Sequence, residues 1–297
     1  MKYLFTLPLA VAAFLVACDS GSTAPDPYIR GNLIYERHID PNAIGSMQCN
    51  VYATDNVIMV ESNVNSITEN SNMGAVLEAN FGKNPATYRG EYDMSGAYLM
   101  LNKQSCEQAK EEIAEMENGK TSCSSNKASF TSTVPNITET NKLFYVSSVK
   151  SAMENYCDQL YEHATEAFTK MLNQLNPQGD VTEKALSCDI QADGNNIKMS
   201  VMYSDKSSVV TATYLGDYKY SVREEYTGID DATLARVCET YKNDDDNSKV
   251  VCSGSVFTFE SIGPDVETYV ESVKKFQCPA MLRGGMTLED SWFNSNY

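Results

Sequence analysis

Residues 188–203, CDIQADGNNIKMSVMY, carry the pattern on which the fold reading rests. Cys188, Ile190 and Ala192 alternate with Asp189, Gln191 and Asp193, the two-residue period of a strand with one face turned inward. Asp193-Gly194-Asn195-Asn196 follows, built from residues that accept positive φ, and marks a tight hairpin turn. Ile197 to Tyr203 then returns as the second strand. Working outward, Ser204-Asp-Lys-Ser207 separates this hairpin from a third strand, Val209 to Tyr214. Gly216-Asp217 turns the chain into a fourth, Tyr218 to Tyr226. Asp230 or Asp231 caps a helix that runs through Tyr241, with Leu234 and Cys238 four apart on one face. Asn243 to Lys249 reads as a polar loop, Val250 to Phe259 as one strand, and Pro264 to Phe276 as a helix. The predicted order is β-β-β-β-α-β-α, and antiparallel hairpins with segregated helices belong to the α+β class.

The same pattern is expected a second time, earlier in the chain. Setting Cys18 aside, the cysteines fall into two sets of four, with steps of 57, 17 and 34 residues in the first and 50, 14 and 26 in the second. Cys49-Asn-Val-Tyr-Ala answers to Cys188-Asp-Ile-Gln-Ala, and Val76-Leu-Glu-Ala79 to Val209-Val-Thr-Ala212. Arg89-Gly-Glu91-Tyr92 answers to Arg223-Glu-Glu225-Tyr226, and Val149-Lys-Ser151 to Val270-Glu-Ser272. Ordered matches hung on matched cysteines predict two tandem duplicated modules, each an antiparallel sheet with two helices, stapled by disulfides. The first spans 29–178 and the second, with a C-terminal tail, 179–297. The first copy adds a strand from Ile29 to Ile39, and its last helix carries an apolar stripe beyond Cys157, from Leu160 through Phe168 to Leu175.

The candidate disulfide cysteines are Cys49, Cys106, Cys123 and Cys157 in the first set, and Cys188, Cys238, Cys252 and Cys278 in the second. An even count without C-x-x-C pairs, in a chain with only two histidines, reads as a disulfide framework and not as a metal site. Four cysteines allow three pairings. A nested arrangement is preferred, Cys106 with Cys123 and Cys238 with Cys252, each closing a short loop at a gain of about 3 kcal/mol. Cys49 with Cys157 and Cys188 with Cys278 would then staple the module ends.

Residues 1–17, MKYLFTLPLAVAAFLVA, have one Lys followed by an apolar run too short to span a bilayer, the make-up of an export signal. The run ends in Leu15-Val16-Ala17-Cys18, which resembles the lipobox of bacterial lipoproteins. That resemblance covers the first twenty or so residues and implies a diacylglyceryl group on the thiol of Cys18, with palmitate-type acylation and removal of residues 1–17. Residues 18–28 hold Asp19 to Pro27, nearly without apolar side chains and with two prolines, and are expected to form a flexible tether. The resemblance places the protein in the cell envelope, on a bacterial membrane, without resolving a periplasmic from a surface-exposed face.

Loss of Lys2 with the signal takes the net charge from −17 to −18, which argues against nucleic acid and against adhesion to anionic lipid. No nucleophile elbow and no P-loop occurs in the sequence. His163 with Glu162 and Glu166, and His38 with Asp40, each supply too few ligands for a metal site. Asp244-Asp245-Asp246-Asn247 lacks the spacing and the glycine of a calcium loop. Tyr218 and Tyr220 on one strand, and Trp292 in the tail, are the candidate ligand-contact aromatics. The expectation is a non-catalytic binding or structural module with a glycan or protein partner in the envelope and no cofactor beyond the lipid. The alternatives are a subunit of an envelope assembly or a carboxylate enzyme acting on polysaccharide.

This cysteine bookkeeping has a direct check. The mature protein, denatured without reductant, is expected to take up no iodoacetamide and to take up eight equivalents after reduction, read by intact mass. Uptake before reduction would mean a thiol outside the bridges.

Overall fold

The computed structural model describes residues 28–67, 70–96, 98–99, 106, 110, 113, 119–134, 137–177, 183–244 and 247–288. The chain forms two compact units that divide between Glu166 and Ala167.

The first unit is built on seven antiparallel strands: β1 (Asn32–Ile39), β2 (Gly45–Ala53), β3 (Val57–Ser66), β4 (Ser71–Asn80), β5 (Ala86–Ser95), β6 (Lys120–Cys123) and β7 (Lys127–Val134). Their order in the sheet is β1-β2-β3-β4-β5-β7-β6. Met47, Cys49 and Val51 point to the buried face from β2, and Met73, Ala75 and Leu77 from β4. A long helix, α1 (Glu139–Leu175), follows β7. Its Met153, Tyr156, Cys157 and Leu160 are buried, Cys157 is bonded to Cys49, and the Tyr156 hydroxyl lies 2.9 Å from that of Ser62. Gly90 on β5 is required by this packing, since a Cβ there would stand 2.5 Å from the Phe130 ring and 2.6 Å from Leu77. On the edge strand, Tyr35 and Arg37 both donate to Asp158 of α1 at 2.6 Å, and these bonds, Tyr35 first, hold that carboxyl below its usual pKa.

The second unit holds six antiparallel strands: β8 (Ser187–Asp193), β9 (Asn196–Met202), β10 (Ser207–Gly216), β11 (Lys219–Thr227), β12 (Asn247–Ser253) and β13 (Val256–Ile262). Their order is β12-β13-β11-β10-β9-β8. The hairpin turn at 193–196 is a two-residue loop with Gly194 at φ 55°. Asp230 caps α2 (Asp231–Asn243) by accepting from the backbone N–H of Ala232 and Thr233 at 3.0 Å. The last helical run comprises α3 (Val266–Ser272), a π-helical turn (Val273–Gln277) and α4 (Cys278–Arg283). Tyr220, Val222 and Tyr226 on β11 pack inward with Phe257, Phe259 and Tyr241, the closest ring pair being Tyr241–Phe259 at 4.6 Å between centroids.

This architecture corrects the expected fold class. The molecule is dominated by two antiparallel sheets of seven and six strands, with three long helical runs among the described residues, and does not follow the α+β order β-β-β-β-α-β-α expected of two duplicated modules. The single strand expected over Val250–Phe259 is a hairpin: Ser253 pairs with Val256 across Gly254-Ser255, with Gly254 at φ 58°. The missed signal was the Ser-Gly dipeptide, a turn former inside an otherwise strand-like run. The loop expected to reach Lys249 already pairs from Asn247 as β12.

The described cystines are Cys49–Cys157, Cys106–Cys123, Cys188–Cys278 and Cys238–Cys252, with Cα separations of 5.5, 6.2, 5.4 and 6.2 Å.

One inward position of β11 carries an acid. Glu224 is 1% exposed and accepts from Tyr241 Oη at 2.5 Å and Ser208 Oγ at 2.8 Å. Burial pushes its pKa up from the ordinary 4.5, and the hydroxyls of Tyr241, Ser208 and Tyr226 draw it partly back. A raised folded-state pKa means that the folded chain keeps a proton the unfolded chain has lost. Glu224 therefore contributes stability below pH 4.5 that is lost as pH rises through its folded value. Glu224→Gln stays neutral throughout, so its melting temperature should gain on the wild type from pH 4.5 to pH 8 in paired scans. A difference that does not change with pH would refute this reading.

Candidate functional site

The alternation that turns apolar side chains inward on β2–β5 places a second set on the outer face of the first sheet. Register aligns Gln48, Asn63, Gly74 and Asp93 in one row and Asn50, Glu61, Val76 and Glu91 in the next. β3 and β5 stand two strand spacings apart, about 9.5 Å. Between them β4 offers only Gly74 and Val76, so the sheet is notched there. A pocket of about 470 Å³ opens over these rows.

Its walls mix polar and apolar surface, and the charged groups among them are paired with one another. Lys127 reaches Glu91 at 3.0 Å and Asp93 at 3.2 Å, and the hydrogen bonds to Glu91 and then Asp93 hold the ammonium above its usual pKa. On the opposite side Arg30 forms an ion pair with Glu61 and lies 4.9 Å over the Tyr52 ring. Asn50 is 9% exposed; its Nδ2 donates to Tyr52 Oη at 3.2 Å, and its Oδ1 has no hydrogen-bond partner among the described residues. A buried acceptor left unmet costs about 1–3 kcal/mol.

Residues 28–30 are held along this face by a second acid. Glu78, 3% exposed on β4, takes Arg89 Nε at 2.9 Å and Nη2 at 3.1 Å, and accepts from the backbone N–H of Ile29 at 2.7 Å. Arg89 also lies 4.3 Å over the ring of Tyr28, whose own pKa is raised, first by burial and next by Glu91. The Glu78–Arg89 pair anchors the segment that carries Arg30 to the pocket wall.

The outer face of the second sheet is polar too. Thr211, Thr213, Ser221, Thr258 and Glu260 line a shallower depression of about 320 Å³. Thr213 Oγ1 donates to Asn196 at 2.9 Å and Lys249 to Glu260 at 2.6 Å, so these groups satisfy one another.

The residues singled out from sequence do not build either site. Tyr220 is fully buried and donates to the Pro264 carbonyl at 2.7 Å, so it is a core side chain. Tyr218 is not on the strand with it: Asp217 and Tyr218 have φ of 50° and 59° and form the β10–β11 turn, which β11 leaves at Lys219. His38 lies 3.8 Å from Glu36 and 3.9 Å from Asp40 on the exposed side of β1. His163 is half-buried on α1, and among the described residues no three His, Cys, Asp or Glu side chains cluster to hold a metal. Asp244 caps α2 and Asn247 opens β12, while Asp245 and Asp246 lie outside the described residues. Cys18, its signal, the tether as far as Pro27 and Trp292 also lie outside them, while Tyr28, its last residue, is held against Arg89. Pocket residues Asn50, Glu61, Glu91 and Asp93 were missed, although Gln48-x-Asn50-x-Tyr52, Glu61-x-Asn63 and Glu91-x-Asp93 place polar side chains at strand spacing on one face. No protein family, curated protein or solved structure matches the chain.

The two ion pairs at the site should differ sharply in weight. Glu78→Ala removes the buried carboxylate that Arg89 and the Ile29 N–H share and is expected to cost about 3–5 kcal/mol in denaturant unfolding. Glu61→Ala removes an exposed pair and should cost under about 1 kcal/mol. Equal losses would mean that Glu78 does not anchor the segment.

Proposed function

We propose that this chain is an exported lipoprotein, acylated on Cys18, that serves as a non-catalytic binding module in the cell envelope. The observation that carries the binding reading is the pocket on the first sheet, notched at Gly74 and lined by the carboxamides of Gln48 and Asn63 and by the paired charges of Glu61, Glu91 and Asp93. The anchor rests on the Leu15-Val16-Ala17-Cys18 motif at the end of an apolar leader. No described helix is long and apolar enough to cross a membrane, which leaves the acyl chains to hold the protein there in this reading. The assembly reading draws on one feature, the adjacent side chains Leu143 and Phe144 on α1, 79% and 69% exposed.

Two measurements test the two halves. Cells fed an alkyne analogue of palmitate should label the wild-type protein, and Cys18→Ser should lose both the label and membrane retention. Persistence of either in the variant overturns the anchor. The full chain in mild detergent should also retain a component of the envelope extract that Gly74→Val does not. The valine fills the notch, yet its Cβ would meet nothing closer than the Asn63 Nδ2 at 3.8 Å, so the sheet should accept it. Equal retention by both proteins would show that this face is not the binding surface.

A further inference from the structure

We infer that Leu143 and Phe144, at the start of α1, insert into the lipid surface that carries the anchor and so orient the first unit on it. This rests on the lipoprotein reading above and adds a second contact with the same bilayer.

Leu143 and Phe144 are the two most exposed large apolar side chains among the described residues, at 79% and 69%. Adjacent residues on a helix are about 100° apart, so the two share one side of α1. Phe144 stands edge-on to Tyr145, with 5.9 Å between centroids. That sets a ring with an apolar body and a polar tip beside the pair, the make-up of a membrane–water interface. Two such side chains lose free energy in water and regain it when withdrawn from it.

Three features point to a bilayer as the occupant. The first is reach. The ten residues from Cys18 to Tyr28 span no more than about 35 Å. Tyr28 lies against Arg89 on β5, and Arg89 pairs with Thr131 on β7, three residues before that strand ends at Val134. α1 begins just beyond, at Glu139. Its Tyr145 is close enough to Tyr88 on β5 that burial first, and Tyr145 next, hold the Tyr88 hydroxyl above its usual pKa. The attachment of the tether and the apolar pair are therefore at one end of the first sheet.

The second is charge. From Lys120 to Met153 the only acid is Glu139, against Lys120, Lys127, Lys142 and Lys150, in a chain of net charge −17. Glu139 itself stands 4.0 Å from Lys142. Lipid phosphates meet little repulsion along this stretch. The third is shape. A stable protein interface takes about 800 Å² from each partner, packed to match. Here the exposed neighbours on α1 are Thr140, Ser147, Ser148 and Ser151, so the apolar surface soon gives way to short polar side chains. A fluid bilayer needs no matching surface and accepts the pair as it stands. α1 packs on the inner face of the sheet and the pocket opens on the outer face, so this contact leaves the pocket to solvent.

The test uses the acylated chain, purified from cell membranes and reconstituted into phosphatidylcholine vesicles. Trp292→Phe removes the only tryptophan, and Phe144→Trp reports on the site. Flotation with the vesicles reads the anchor, and quenching by lipid brominated on its acyl chains reads the contact. The protein should float and lose about half its emission to brominated lipid, as a side chain at the headgroup–acyl boundary would. Adding Leu143→Asp should abolish the quenching without lowering the melting temperature. In the Trp292→Phe background, Leu33→Trp reports from β1, the opposite edge of the sheet, where the side chain is also exposed, and it should stay unquenched. Equal quenching at the two positions would overturn the orientation. A protein that floats while its emission ignores brominated lipid would overturn the insertion and leave the anchor standing. Emission that responds only when envelope proteins are added would assign the pair to a protein partner and overturn the lipid contact. A protein that does not float would overturn the anchor itself, and this inference with it.

Discussion

The bond between Cys49 and Cys157 decides which face of the first sheet becomes core. Both residues are fully buried, one in the middle of β2 and the other in α1, so the bridge sets α1 against one side of that strand. Because side chains alternate along a strand, placing Cys49 inward also places Met47 and Val51 inward and sends Gln48, Asn50 and Tyr52 out. Register then carries the choice across the sheet, from β2 through β5, without further instruction. A one-residue slip would bury a row of amides and carboxylates against α1. The polar pocket is in this sense the necessary reverse of the disulfide-stapled core. In the second sheet Cys188 on β8 is joined to Cys278 at the start of α4, and the outer face is again polar.

Two buried acids show how differently the sheets absorb charge. Glu78 lies on the outer face and meets Arg89 in a two-pronged contact, with the Ile29 N–H as a third donor. Its charge is compensated, so desolvation is offset by geometry that holds a chain segment in place. Glu224 lies on the inner face, among Tyr226, Phe257 and Tyr241, where its hydrogen bonds come from hydroxyls. Hydroxyl donors stabilise a carboxylate less than a guanidinium does, so here burial wins and the proton is favoured. The first arrangement ties a chain segment to the face of its sheet. The second makes the stability of its sheet depend on pH.

Much of this was legible where a local rule had only one answer. Asp193-Gly194-Asn195-Asn196 could hardly be anything but a hairpin, and the Asp230 cap announced α2. Reading failed where two rules competed. Val250 to Phe259 is continuous in strand propensity, and that run masked Ser253-Gly254, although the glycine there turns the chain back. Gly216-Asp217-Tyr218 looked like a turn entering a strand, but two consecutive residues in left-handed conformation are needed, and an aromatic is an unusual second choice. Taking Tyr218 as strand made it look like a partner of Tyr220, when Tyr220 is core and Tyr218 is turn. The pocket was invisible for another reason. Asn50, Glu61, Gly74 and Glu91 come together only through the register of four strands, and no single segment reveals that register.

The pocket and the proposed anchor are also linked along the chain. Arg30, which forms the β3-side wall with Glu61, follows Tyr28 and Ile29, the residues fastened by Arg89 and Glu78. If Cys18 bears lipid, the ten residues from there to Tyr28 can span no more than about 35 Å even when fully extended. The attachment point at Tyr28 is therefore confined to a layer of that depth above the membrane, and the pocket wall at Arg30 to little more. Tension on the tether would be met first at Arg89, under which Tyr28 lies, and next at Glu78, where Ile29 is bonded, before it reached Arg30. On that proposal the buried ion pair would stand between the tether and the pocket, a role that an outward-facing acid enclosed by Arg89 and Ile29 is placed to fill.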